Sequence, residues 1–184
     1  KQIAQGAPAD LFVSANQQWI DFLVGEKQIA AEGAKTLAAN RLVFVGPKGK
    51  AADMADLPKL QRIAIGSPKS VPAGQYAEEA MKKAGVYEQL AGAGKLVMAQ
   101  DVRQALVYAD RGEVDGAFVY KTDALLAKEA AILFEVPQDL YAPVTYPMGL
   151  TVAGAQSAEA RDFFDYLQST AAKTVLEKYG FIVR

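Results

Sequence analysis

The 184-residue chain contains no cysteine and no histidine. Those two absences together remove disulfides, thiolate nucleophiles, Ser-His-Asp triads and most transition-metal sites. Neither sign of charge dominates: 20 basic residues stand against 21 acidic ones, a formal net charge of −1. The basic surface that nucleic acid or an anionic membrane requires is therefore missing, and no nucleic-acid partner is expected. No apolar run approaches the roughly 18 to 20 residues of a membrane span. The given sequence shows no signal peptide ahead of Lys1. It also lacks an EF-hand-like run of Asp and Asn with its Gly, so no free cation site and no cofactor are expected.

What is present is apolar and rhythmic. Hydrophobic residues make up 51% of the chain, enough to fill one ordinary core or two small lobes. Four times an apolar, β-rich run ends in a short polar loop that opens a helix: "DLFVSANQQWIDFLV", "RIAIGSPKSVPAGQYAEEAMKKAG", "KLVMAQDVRQALVYADRG" and "GAFVYKTDALLAKEA". This alternation predicts an α/β fold. Further strands are expected at "RLVFVGP" and "YPMGLTVA", and two helices at "SAEARDFFDYLQS" and "AAKTVLEKYG". The pattern predicts two α/β lobes, one from residues 41–149 with its hinge crossovers and one from residues 1–40 and 150–184. The first residues read as a helix stopped by Gly6, an odd start for a complete domain, so upstream residues are expected to be missing.

In open α/β sheets, ligands bind beyond the carboxyl ends of the strands, where helix N-termini present free N–H groups. Three loops of the central block fall there: Ser70–Gly74, Ala99–Arg103 and Tyr120–Thr122. A helix N-terminus carries roughly half a positive charge, which makes it an anion site needing no cation. In "VPAG", Pro72 fixes φ, and the small Ala73 and Gly74 let an anion approach the backbone. Taken alone, the same loop reads first as a plain helix entry, Asp101 as an N-cap, and Tyr120 as a strand-end aromatic.

The segments "GAPADLFVSANQQWIDFL", "VPAGQYAEEAMKKAG", "AQDVRQAL", "GAFVYKTDA", "YPMGLTVA" and "EKYGF" occur in the order and spacing of the periplasmic molybdate-binding proteins of ABC importers. The resemblance covers the whole chain. It implies a periplasmic-binding-protein-like II fold, two lobes joined by a two-strand hinge and closing over one oxyanion. It also implies a periplasmic location, molybdate or tungstate as ligand, an inner-membrane ABC permease as partner, and no enzymatic activity. The family holds its anion with neutral donors, which places the backbone N–H groups of Ala73 and Val102 and the hydroxyl of Tyr120 in the site. Ser14 lies at a strand end but matches no ligand position. Arg103 and Lys69 are expected to be solvated or structural rather than charge partners of the anion.

The family's first strand, first helix and second strand, with their two serine-bearing loops, have no counterpart here. One lobe is therefore expected to be incomplete, binding to be impaired, and the truncated chain to self-associate. Three rival readings remain: a binding protein for another tetrahedral oxyanion such as sulfate or phosphate, an effector-sensing domain of a transcription regulator, and an enzyme on the same fold. The last is disfavoured because no nucleophile and base can be paired from these residues.

Overall fold

The computed structural model describes residues 1–183 and divides into two compact units, Asn40–Pro143 and the remainder on either side of it. In chain order the strands are β1 (Leu11–Val13), β2 (Lys35–Asn40), β3 (Leu42–Gly46), β4 (Ile63–Gly66), β5 (Leu96–Ala99), β6 (Gly116–Tyr120), β7 (Ala131–Glu135) and β8 (Val144–Leu150). The α-helices are α1 (Gln17–Gly25), α2 (Pro72–Lys83), α3 (Tyr87–Gly92), α4 (Val102–Asp110), α5 (Lys121–Ala124), α6 (Ala158–Leu167) and α7 (Thr170–Lys178).

The Asn40–Pro143 unit is built on a five-stranded sheet of order β5-β4-β6-β3-β7. β4 pairs in parallel with both β5 and β6, in the registers Gly66↔Ala99 and Ala64↔Ala117. β3 runs antiparallel to β6 and to β7. Strands β3, β4 and β6 are buried at every position, the continuous apolar reading expected of strands covered on both faces. Ala105, Leu106 and Ala109 of α4 pack with Val43, Val45, Ala64, Ala117 and Val119 of the sheet. Alanines on the helix allow that close approach.

The other unit carries a three-stranded sheet of order β1-β8-β2, with β1 antiparallel to β8 in the register Phe12↔Gly149. All of β8 belongs to this unit because its hydrogen bonds go to β1 and β2. Ile20, Leu23 and Ile29 form a small core, flanked by Ile3, Phe12 and Val24. A cavity of about 510 Å³ is lined by Lys1, Gln2, Ile3, Phe12, Trp19 and Leu23.

Several elements differ from the sequence reading. The opening helix is only a 3-10 turn, Ile3–Gln5, closed by Gly6 at φ 93°. β2, β7 and α3 were not anticipated. The helix expected through "KTDALLAKEA" stops at Ala124, leaving Leu125 and Leu126 57% and 59% exposed. The cause is the Asp110 carboxylate, which accepts the N–H groups of Lys128, Glu129 and Ala130 at 2.8 to 3.1 Å and fixes that stretch as a loop. Those bonds, led by the one from Ala130, hold the Asp110 carboxyl below its ordinary range.

Candidate functional site

Because β5 and β6 flank β4 and both run parallel to it, the carboxyl ends of the three strands share one edge of the sheet. Ala73, Val102 and Tyr120 all belong to the segments leaving that edge. Ala73 is the second residue of α2, Val102 the first of α4, and Tyr120 the last of β6 and the residue preceding α5.

Five backbone donors of the loop into α2 are spent on the protein itself. The Ser67 N–H donates to Ala99 O at 2.8 Å, tying the ends of β4 and β5 together. Ser70 and Val71 donate to Ser67 O, and Gly74 and Gln75 donate to Val71 O. Pro72 has no N–H. Val71, the N-cap, supplies no side-chain acceptor, and no acidic residue occupies the first turn. Valine is among the weakest N-caps, so the dipole end of this 12-residue helix is left uncompensated. The Ala73 N–H finds no protein acceptor among the described residues, although Ala73 is only 1% exposed. A buried donor without a partner costs about 1 to 3 kcal/mol, and native proteins tolerate few of them.

Gly74 has a different purpose from the one read in the sequence. A Cβ there would lie 1.8 Å from the Gly66 carbonyl oxygen, and a Cβ on Gly66 would lie 2.4 Å from a Val71 methyl. The two glycines let the first turn of α2 press against the end of β4. The demand on Gly74 thus comes from packing of the protein's own backbone.

The entry to α4 is held by side chains. Asp101 is an N-cap whose Oδ1 accepts the Gln104 N–H at 2.7 Å, and the Gln104 side-chain Oε1 accepts the Gln100 N–H at 2.7 Å. This reciprocal arrangement leaves the N–H groups of Val102 and Arg103 without protein acceptors among the described residues. Asp101 and Gln104 carry the three-residue spacing of a capping box, so the sequence itself pairs them.

Tyr120 is 8% exposed and pairs with Leu42 of β3. The following residue donates its N–H to Arg41 O at 2.8 Å, which fixes the strand end. Asn40 Nδ2 donates to Thr122 Oγ1 at 2.9 Å, so the start of α5 is tied to the segment leading into β3. Burial raises the carboxyl of Asp123 above the usual aspartate range, Asp101 adds to that rise, and Arg103 opposes it. Arg103 therefore already answers a carboxylate of the protein, and both Arg103 and Lys69 are exposed. Ser14 lies in the other unit, buried just after β1, where its Oγ accepts the Asn16 N–H at 3.3 Å ahead of α1. Among the described residues no group of three or more His, Cys, Asp and Glu could hold a metal ion. No helix of the described residues is long and apolar enough to cross a membrane.

Comparison with known proteins adds the family. Residues 1–182 match the family described as bacterial extracellular solute-binding protein. YvgL of Bacillus subtilis (strain 168), provisionally named as an ABC transporter substrate-binding lipoprotein, is 41% identical over 98% of this chain and 70% of its own length. The molybdate-binding protein ModA of Haemophilus influenzae is 39% identical over 98% of this chain and 73% of its own. Among solved structures, the substrate-binding domain of a provisionally assigned molybdenum ABC transporter from Clostridium difficile superposes with a TM-score of 0.85 at 32% identity. It covers 100% of this chain and 80% of that one. With the α/β units and the strand-end loops in place, this chain belongs to the bacterial extracellular solute-binding proteins.

Proposed function

We propose that this chain captures molybdate, or the near-identical tungstate, outside the cytoplasmic membrane and hands it to the permease of an ABC importer, without covalent chemistry. The observation that carries the reading is the pair of helix N-termini at one sheet edge, α2 and α4, whose Ala73 and Val102 N–H groups have no protein acceptor among the described residues. Tyr120 contributes its hydroxyl to the same anion. Two dipole ends and neutral donors stabilise a tetrahedral dianion while leaving no fixed counter-charge to hinder release. The molybdate-binding relatives at 39% and 37% identity support the choice of anion.

Two further parts of the reading concern place and partners. The periplasm is the compartment we assign, as the setting of an importer's solute-binding component. Self-association through the exposed Val13, Trp19 and Phe22 is the remaining part, and static light scattering checks it, a monomer at every concentration removing it.

Titration calorimetry with molybdate, followed by competition with sulfate, tests the central assignment. Weakened but still saturable molybdate binding, which sulfate displaces only weakly, is the expected result. Sulfate binding as tight as molybdate would reassign the chain to the general oxyanion binders, and no binding of either would reject the site.

A further inference from the structure

The start of α4 is closed by a polar lock of Gln100, Asp101 and Gln104. We infer that Gln104 is a positioning residue for the anion site, holding the Gln100–Val102 loop so that the Val102 N–H stays free and correctly aimed. This rests on the proposed role of Val102.

Each loop that leaves the sheet edge must be fixed by something. α2 achieves this through the Gly66 and Gly74 contact. Gln100 and Asp101 are both exposed. Besides the Ala105 N–H donated to Asp101 O at 3.3 Å, their restraint comes from two shorter hydrogen bonds that meet at one residue: the Gln104 N–H donates to Asp101 Oδ1 and the Gln104 Oε1 accepts from the Gln100 N–H, each at 2.7 Å. Both are short for N–H···O bonds.

The geometry also has a selective effect. Asp101 Oδ1 is engaged by the third residue of the helix, so its carboxylate is turned to Gln104 and does not cap the first two N–H groups. Gln104 satisfies the loop donor on the other side. What remains open is the Val102 N–H together with that of Arg103. Without the glutamine amide, Gln100 loses its acceptor, the loop samples other conformations, and the donor is aimed for only part of the time. Apparent affinity falls by the fraction of time the competent geometry is lost.

The test compares Gln104→Met, which keeps length and helix propensity but offers no amide oxygen, with Gln104→Glu, whose carboxylate can still accept the Gln100 N–H. Calorimetry with molybdate, amide hydrogen exchange at Gln100 and the thermal midpoint are read on each. Gln104→Met is expected to bind molybdate about threefold to tenfold more weakly, with faster exchange at Gln100 and an essentially unchanged midpoint. Gln104→Glu restores slow exchange at Gln100. Parent-like binding by Gln104→Met, or weakened binding while Gln100 stays protected, overturns the inference.

Val102→Pro separates this inference from the reading beneath it. The substitution deletes the donor at a first helical position that accepts proline, after an Asp101 already extended at φ −154° and ψ 173°. Weak binding by Val102→Pro with parent-like binding by Gln104→Met rejects the role of Gln104 alone. Parent-like binding by Val102→Pro, or no saturable binding by the parent chain, rejects the donor assignment and the positioning role together.

Discussion

The N-termini of α2 and α4 leave the same sheet edge and offer the same group, a backbone N–H, but they are held in opposite ways. α2 has no side-chain cap and is fixed by steric fit, two glycines allowing its first turn onto the Gly66 carbonyl. α4 is fixed by hydrogen bonds through Asp101 and Gln104, with the side chains of Arg103 and Asp123 close by. An anion site of neutral donors can thus be positioned either by packing or by a polar lock. The two should fail differently, packing sharply and with loss of fold, the lock gradually and with loss of aim.

The largest expected effect is at the packed terminus. Gly74→Ala places a Cβ 1.8 Å from Gly66 O, a contact that only backbone movement can relieve. It should cost about 3 kcal/mol of stability or slightly more, read by urea unfolding. A variant as stable as the parent would show that α2 is not seated on β4 in this way.

Tyr120 belongs to neither terminus and probes the anion itself. Tyr120→Phe should weaken molybdate binding about tenfold to a hundredfold, the loss of one hydrogen bond to a charged ligand worth roughly 1.5 to 3 kcal/mol. Unchanged affinity would remove its hydroxyl from the site. At the locked terminus the effects are smaller. Asp101→Ala removes the N-cap of α4 and should lower stability by about 1 kcal/mol, well below the cost of Gly74→Ala. A reversed order would contradict the contrast between packing and lock.

The smallest effect is the pH dependence contributed by Asp123 of α5. Burial raises the folded-state carboxyl of Asp123, with Asp101 adding to the rise, so between the ordinary value of 3.8 and its raised value the folded chain binds more protons than the unfolded one. Stability contributed by this group therefore falls as pH rises through that window. Asp123→Asn should be slightly more stable than the parent at neutral pH, and the difference should fade as pH drops toward 3.8. A gap that grows on acidification would give the opposite sign and contradict the burial of that carboxyl.

How far the sequence carried depended on whether a feature was local. β4 and β6 were legible because a covered strand is apolar at every position, and the placement of Ala73, Val102 and Tyr120 at one edge followed from the parallel alternation. β2 was illegible because "KTLAAN" has neither a clean alternation nor β-branched content beyond one threonine. β7 was hidden by the helical appearance of "ALLAKEA", which the distant Asp110 carboxylate overrides. Gly74 was noticed for its size, but its partner, the carbonyl of Gly66, lies eight residues back and becomes visible only when α2 folds over β4. Gln104 was within reach, three residues after Asp101.

The most direct test of the account is an NMR titration of the uniformly labelled chain with molybdate, following the amide resonances of Ala73 and Val102. The account predicts that these two amides shift strongly downfield, further than the neighbouring amides of Gly74 and Gln104 that already have protein acceptors, and that both saturate together. Saturable molybdate binding with both resonances left in place would contradict it.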